Sequence, residues 1–242
     1  MAQQEFISRY LEFVGAAQWT PNMRGNPLSQ KTHFYDEFTG DTLDTNKWAV
    51  TTNGNGSIAI SEIEGGVALM TTGTTDNDSQ MLSTSIIWTG TKNVVLYARI
   101  HMVDVSGTAL FVGISDAKSE SNNIIAIEFP LDNLTTQAVT AAGFVIDADH
   151  DTSSIMCAGV AGNTDTTPVD TGIDWEDGET KDLVLIFDGA ICRYYVDGVE
   201  YAAIAASITA TTLHCGTIQA QTRAADGSNV IRCYRFHMWQ DV

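Results

Sequence analysis

Basic side chains are scarce in this chain: 12 Lys and Arg stand against 30 Asp and Glu, a formal net charge of −18. That imbalance repels the phosphate backbone that dominates nucleic-acid affinity, so DNA and RNA are not expected partners. The acids are not gathered into one run, which reads as a solvated surface rather than a cation trap. Cysteine is also sparse. Cys157, Cys192, Cys215 and Cys233 are widely spaced with no C-x-x-C, against a zinc ribbon or a redox motif. No apolar run is long enough to span a membrane. The first ten residues hold an early Glu5 and no apolar core of signal length. The expectation is therefore a chain with no membrane partner, made in a cytoplasm with reduced thiols. Missing too are an H-E-x-x-H pair among the five histidines, a P-loop, a G-x-S-x-G elbow and a G-x-G-x-x-G turn.

What is present is β pattern. The 242 residues, 44% hydrophobic, suffice for one large domain with a substantial core. Between Leu183 and Tyr201, Asp188-Gly189 and Asp197-Gly198 are dipeptides that tolerate positive φ, so three short strands form a meander. Cys192, Tyr194 and Val196 share one face of the middle strand, and Ile191, Arg193 and Tyr195 the other. Further strands are predicted at 57–63, 67–72, 94–103, 109–115, 124–129, 143–146, 215–221 and 230–239, with a hairpin turn at Glu64-Gly65-Gly66. Such spacing, nearly free of helical pattern, predicts an all-β antiparallel sandwich or jelly roll. Residues 147–180, rich in Asp, Thr and Gly, read as a long excursion.

Residues 1–32 differ from this body at 33–242. Phe6, Tyr10 and Phe13 fall on one helical stripe beside Ile7, Leu11 and Val14, and Gly15 is placed to end a short helix. A helix of about ten residues is marginal alone, so the stripe must pack on something. Beyond it, Trp19 opens an extended run holding Pro21 and Pro27. Arg9, Arg24 and Lys31 less Glu5 and Glu12 leave this arm at +1 and the body at −19. The arm reads as an assembly element, with Phe6, Ile7, Tyr10, Leu11, Phe13, Val14 and Trp19 as its interface.

The stretch Phe34 to Trp48, the Val67 to Thr72 hairpin arm, the Tyr194 to Val199 strand and the closing Ile231 to Gln240 run together resemble the concanavalin-A-like lectin and glucanase jelly rolls. The resemblance covers roughly residues 33–240 and implies two curved antiparallel sheets with the terminal strands close together. The glucanases of that superfamily carry a Glu-x-Asp-x-x-Glu type run, which sets two carboxylates on one strand face about 5 to 5.5 Å apart. This sequence departs from it. Glu62 and Glu64 run into a Gly-Gly turn, and Glu128 and Asp132 flank Pro130, so all four read as exposed carboxylates at turns or strand edges, and the chain is not expected to be an enzyme.

Asp147, Asp149 and Asp151 offer oxygens at i, i+2 and i+4, a weak candidate for the structural calcium that the resemblance allows; the EF-hand Gly and Glu are replaced by Thr152 and Ala158. No other cofactor or metal is expected. Among the aromatics, Trp48 and Trp239 sit where the superfamily buries a ring. Trp175, in a polar loop, and Tyr195 are the candidate glycan contacts.

A jelly roll without catalytic acids, without an export signal and with an apolar arm matches a virion structural protein. The leading expectation is a capsid-associated decoration or head protein of a virus or bacteriophage. It would be assembled in the host cytoplasm as a homo-oligomer and docked on capsid or other virion proteins through residues 1–32. The alternative is a carbohydrate-binding, lectin-like module, such as a tail or fibre component holding a surface glycan, with a laminarinase-like glycosidase third. Exposed aromatic and Asn or Asp side chains converging on the concave sheet favour the lectin, and a small, apolar or arm-covered concavity favours assembly.

Overall fold

The computed structural model describes residues 31–242 apart from 64, 121–123, 151–153, 190 and 224–228. The predicted arm interface from Phe6 to Trp19 lies outside the described residues. In chain order the strands are β1 (Lys31–Asp36), β2 (Ala49–Asn53), β3 (Ser57–Ser61), β4 (Val67–Thr71), β5 (Ser79–Ser83), β6 (Trp88–Thr89) and β7 (Val94–Met102). Then come β8 (Thr108–Ser115), β9 (Ile127–Glu128), β10 (Thr135–Thr136), β11 (Thr140–Asp147), β12 (Ser154–Ala161), β13 (Thr164–Asp165) and β14 (Val169–Asp174). The last five are β15 (Thr180–Phe187), β16 (Ile191–Val196), β17 (Val199–Ala205), β18 (Leu213–Thr222) and β19 (Val230–Asp241).

These strands form two antiparallel sheets facing one another. Sheet A runs β17-β16-β15-β7-β19-β4-β3, with β1 paired to the C-terminal half of β19. Sheet B runs β13-β12-β11-β8-β18-β5-β2, with β14 on β12 and β6 on β18. The expected meander is present as β15-β16-β17, and the terminal strands β1 and β19 are paired as the resemblance implied. The excursion predicted at 147–180 is corrected: β12 and β14 lie within it and extend sheet B. The turn residues are polar, but Ile155, Cys157, Ala158 and Val160 are small or branched side chains that the sheet buries.

The two sheets differ in how they are covered. Strands of sheet A alternate: Leu183, Leu185 and Phe187 of β15 point into the inter-sheet core, whereas Asp182, Val184 and Ile186 face outward, half-buried. In sheet B, β8 and β11 are buried at every position, which requires cover on both faces. The segment between β8 and β11 supplies the second cover. Its Ile125, Ala126, Ile127 and Phe129 pack on Phe111, Val145 and Val160 of the outer face, making a second core. The strand predicted at 124–129 is therefore a strap, and only Ile127–Glu128 pairs, with Thr135–Thr136. Its backbone is tied down by sheet side chains, since Ala126 N donates to Gln219 Oε1 at 2.6 Å and Ile125 N to Gln221 Oε1 at 3.2 Å.

The four cysteines are free and buried. Among the described residues no helix is long and apolar enough to cross a membrane.

Close approach beneath the strap rests on a glycine pair, Gly113 opposite Gly143. A Cβ on Gly113 would sit 2.2 Å from the Ala142 carbonyl oxygen, a backbone atom that cannot swing away. Gly113→Ala is expected to destabilise the fold by about 2 kcal/mol or more, in the range of core overpacking. A urea melt with an unchanged midpoint would contradict this.

Candidate functional site

Two outer faces compete as sites, and the acids lie on the sheet B side. Glu128 sits on the strap and Asp147 at the end of β11, and both reach one cation. Arg223 Nη2 donates to Glu128 Oε2 at 2.7 Å and to Asp147 Oδ2 at 2.6 Å, while its Nε donates to Asp147 Oδ1 at 2.8 Å. Asp147 also accepts the backbone N–H groups of Phe129 (2.8 Å) and Asp149 (3.1 Å). Side-chain exposures of 5%, 8% and 0% for Arg223, Glu128 and Asp147 make this a buried cluster.

The expectation of an exposed Glu128 is corrected, because the strap turns it inward onto Arg223. The positions two and four residues before it, which would share its face on a strand, hold Ala126 and Ile124. Neither is an acid; Asp132, four residues on, is exposed, and the carboxylate that does approach Glu128 is Asp147, bridged to it by Arg223. Glu62 and Asp132 are exposed as expected, and Glu64 is outside the described residues.

The calcium candidate Asp147, Asp149 and Asp151 lies in the same place. Asp147 bonds the Arg223 guanidinium and accepts two backbone N–H groups. Asp149 lies 3.9 Å from Arg223 Nε, and Asp151 is outside the described residues. Among the described residues no three His, Cys, Asp or Glu side chains gather to hold a metal.

The strand register builds an aromatic ladder across the outer face of sheet A, on which His33 and Tyr35 are exposed, Tyr97, Val184, Tyr195 and Trp239 half-buried, and His237 buried beneath its neighbouring rings. Tyr35 of β1 pairs with His237 of β19, His237 with Tyr97 of β7, Tyr97 with Val184 of β15, and Val184 with Tyr195 of β16. Four strand steps from Tyr35 to Tyr195 span about 19 Å. Ring centroids are 4.3 Å apart for Tyr35 and His237 and 5.5 Å for His237 and Tyr97. One pleat along, His33 and Trp239 pair and stack at 6.4 Å, continued by Val95 and Ile186. Polar groups are fixed beside the rings. Tyr97 Oη donates to Asp182 at 2.9 Å, and Arg99 bonds the same carboxylate. Tyr195 Oη donates to Glu200 at 2.6 Å, with Arg193 on the other oxygen.

This setting shifts its ionisable groups. Burial holds the His237 imidazole down at about 4, with repulsion from His33 next, so it is neutral on the folded face at pH 7. Burial and the Asp182 carboxylate push the Tyr97 hydroxyl far above its usual value and keep it a donor.

The predicted glycan contacts divide. Tyr195 stands on the ladder. Trp175 is corrected: it is 1% exposed within the core, its Nε1 donating to the Glu179 carbonyl at 3.2 Å. Its polar neighbours face solvent while the ring turns inward. Trp48 is buried as expected, whereas Trp239 is half-buried on the outer face. Sequence reasoning missed the ladder because it is a property of register across five strands. The alternation in β19 of His237 and Trp239 with buried Phe236 and Met238 was the available signal.

The sandwich is shared with solved proteins at low sequence identity. LamAcat from Zobellia galactanivorans superposes with a TM-score of 0.63 at 12% identity, covering 90% of this chain and 100% of that one. The Emp47p carbohydrate recognition domain gives 0.60 at 11%, covering 88% and 98%. The Bacillus licheniformis β-glucanase gives 0.58 at 11%, covering 85% and 97%. The fold is the concanavalin-A-like jelly roll. No protein-family model matches the chain, and no curated protein matches it in sequence.

Two outcomes are expected. Arg223→Met leaves Glu128 and Asp147 buried without their cation, and denaturant melts should show a loss of about 3–5 kcal/mol. Adding Glu128→Gln and Asp147→Asn should restore part of it, and a neutral single variant would refute the clamp. The second concerns His237. A folded pKa below the ordinary 6.5 means its contribution is complete above pH 6.5 and is lost as pH falls through about 4. At about 1.4 kcal/mol per unit, the loss reaches a few kcal/mol. His237→Asn should shrink the fall in stability between pH 6.5 and 4; an identical acid limb would oppose this assignment.

Proposed function

We propose that this protein is a non-catalytic carbohydrate-binding module that holds a polysaccharide on the outer face of sheet A. The register-aligned ladder Tyr35, His237, Tyr97, Val184 and Tyr195 carries the reading. Sugar rings present apolar C–H faces and hydroxyl edges, and aromatic rings flanked by fixed acceptors match both. Asp182 and Glu200 are already oriented by Tyr97, Arg99, Tyr195 and Arg193, so little side-chain entropy remains to be lost on binding. The length of the ladder suits an extended chain better than a single sugar.

Similarity of fold to a carbohydrate recognition domain and to glucanases supports the class of ligand. Binding without cleavage is supported by the acids, since Glu128 and Asp147 are paired with Arg223 and Asp182 and Glu200 beside the ladder are each held by an arginine. The capsid-docking reading rests on residues 1–32, nearly all of which are outside the described residues. The glycan reading therefore takes precedence over it.

Affinity electrophoresis of the full chain against soluble polysaccharides, with pull-down on insoluble ones, tests this. Retardation by at least one glycan is expected. Tyr97→Ala with Trp239→Ala should weaken it at least tenfold, as loss of aromatic anchors does, while the melting temperature stays within a few degrees. No reducing ends should be released. Absence of binding across the panel, or binding indifferent to both substitutions, would overturn the proposal.

A further inference from the structure

The scarce cations of this chain are concentrated on the ladder face. Among the described residues, Lys31, Arg99, Arg193, Arg232 and Arg235 all project from the outer side of sheet A, five of the chain's twelve basic residues. Among the described residues the outward positions of the same strands hold three acids, Asp182, Glu200 and Asp241, while Glu37, Glu179, Asp188 and Asp197 flank the strand ends. The outward strand positions thus carry five basic against three acidic residues, where the chain as a whole has 12 against 30.

Within that face the cations are set against one another. Arg235 of β19 is directly opposite Arg99 of β7, and Arg232 is opposite His101. Like charges at directly paired positions are destabilising in an antiparallel sheet. Arg99 is relieved by Asp182 at 3.1 Å and Arg235 by Glu37 at 3.4 Å. Arg232 has no acidic partner among the described residues, and its Nε is buried without a hydrogen bond. Across the rung, His101 is engaged by Thr180 Oγ1 at 3.0 Å and edged by the Tyr234 ring at 6.4 Å. The Arg99–Arg235 rung lies beside the ladder, since Arg99 is two residues from Tyr97 and Arg235 two from His237, about 7 Å along a strand, and the Arg232–His101 rung lies beyond it on the same two strands.

Resting on the carbohydrate reading, we infer that the ligand is an acidic polysaccharide, its sugar rings laid on the ladder and its carboxylate or sulfate groups paired with Arg232, Arg235 and Arg99. Planar guanidinium groups bind carboxylate and sulfate-like oxygens in a fork, which suits arginine rather than lysine in this role. A neutral glycan would leave Arg232 without an anionic partner. An acidic one supplies it. Elsewhere the surface repels polyanions, so the anion is directed to this face alone.

The experiment uses the full chain and matched pairs of glycans: polygalacturonate with its methyl ester, and carrageenan with its desulfated form. At least one acidic member is expected to bind tenfold or more tighter than its neutral partner. Arg232→Gln with Arg235→Gln should erase that preference while leaving binding of the neutral member unchanged. Tyr97→Ala with Trp239→Ala should weaken both members. Equal binding within every pair, or a preference that survives the arginine substitutions, overturns the acidic assignment and leaves the carbohydrate reading standing. Equally tight binding of poly-glutamate also overturns it, because the face would then select charge without sugar. Failure of every glycan, charged or neutral, overturns both readings.

Discussion

Arg223 is the one cation on which the covering of sheet B depends. It follows β18, holds Asp147 at the end of β11 in a bidentate pair and Glu128 on the strap, and so fastens the third layer to the sandwich. Without that tie, two carboxylates would be left in an apolar interior, each at a cost of several kcal/mol. With it, the strap keeps Ile125, Ile127 and Phe129 on the outer face, and β8 and β11 can be apolar or small at nearly every position. A buried ion pair is weak evidence for stability in general. Here its consequence is geometric, because it fixes which loop closes which face.

That closure decides where a ligand can bind. A sheet covered on both sides offers no surface, and the acids nearest to a catalytic arrangement are the ones consumed in covering it. On sheet A the outward positions of the described strands carry Tyr97, Tyr195, Trp239 and the arginines. The same alternation that buries Leu96, Leu183, Tyr194 and Phe236 sets these side chains in register on the opposite face. Core and ladder therefore follow from one pattern.

Much of this was legible in the chain. The meander at β15-β16-β17 followed from two Asp-Gly turns and an alternation of period two, and the jelly roll from strand spacing and the order of its landmarks. Three things were not. β5 reads Ser79-Gln80-Met81-Leu82-Ser83, polar at three positions of five, and is a strand because β2 and β18 pair with it on both sides. The Ile124 to Phe129 run looks like a strand because burial against a sheet and burial within one select the same residues. Trp175 looked exposed because its neighbours are, although a ring can turn inward from a polar turn. In each case the deciding partner is distant in sequence: β18 for β5, Gln219 and Gln221 for the strap, and the inter-sheet core for Trp175.

The scarcity of basic residues acquires its meaning from this architecture. Dispersed over the surface, twelve cations among thirty acids would only moderate repulsion. Arg223 is spent inside, where it closes sheet B, and five others gather on the outward positions of sheet A. Arginines opposed across a sheet cost stability, and a chain with few of them has every other surface on which to avoid that cost. Their placement beside rings that can hold a sugar is accounted for by a ligand bearing the opposite charge. The net charge of the molecule and the sign of its binding face are thus separate quantities, and the face is the one a ligand meets at contact.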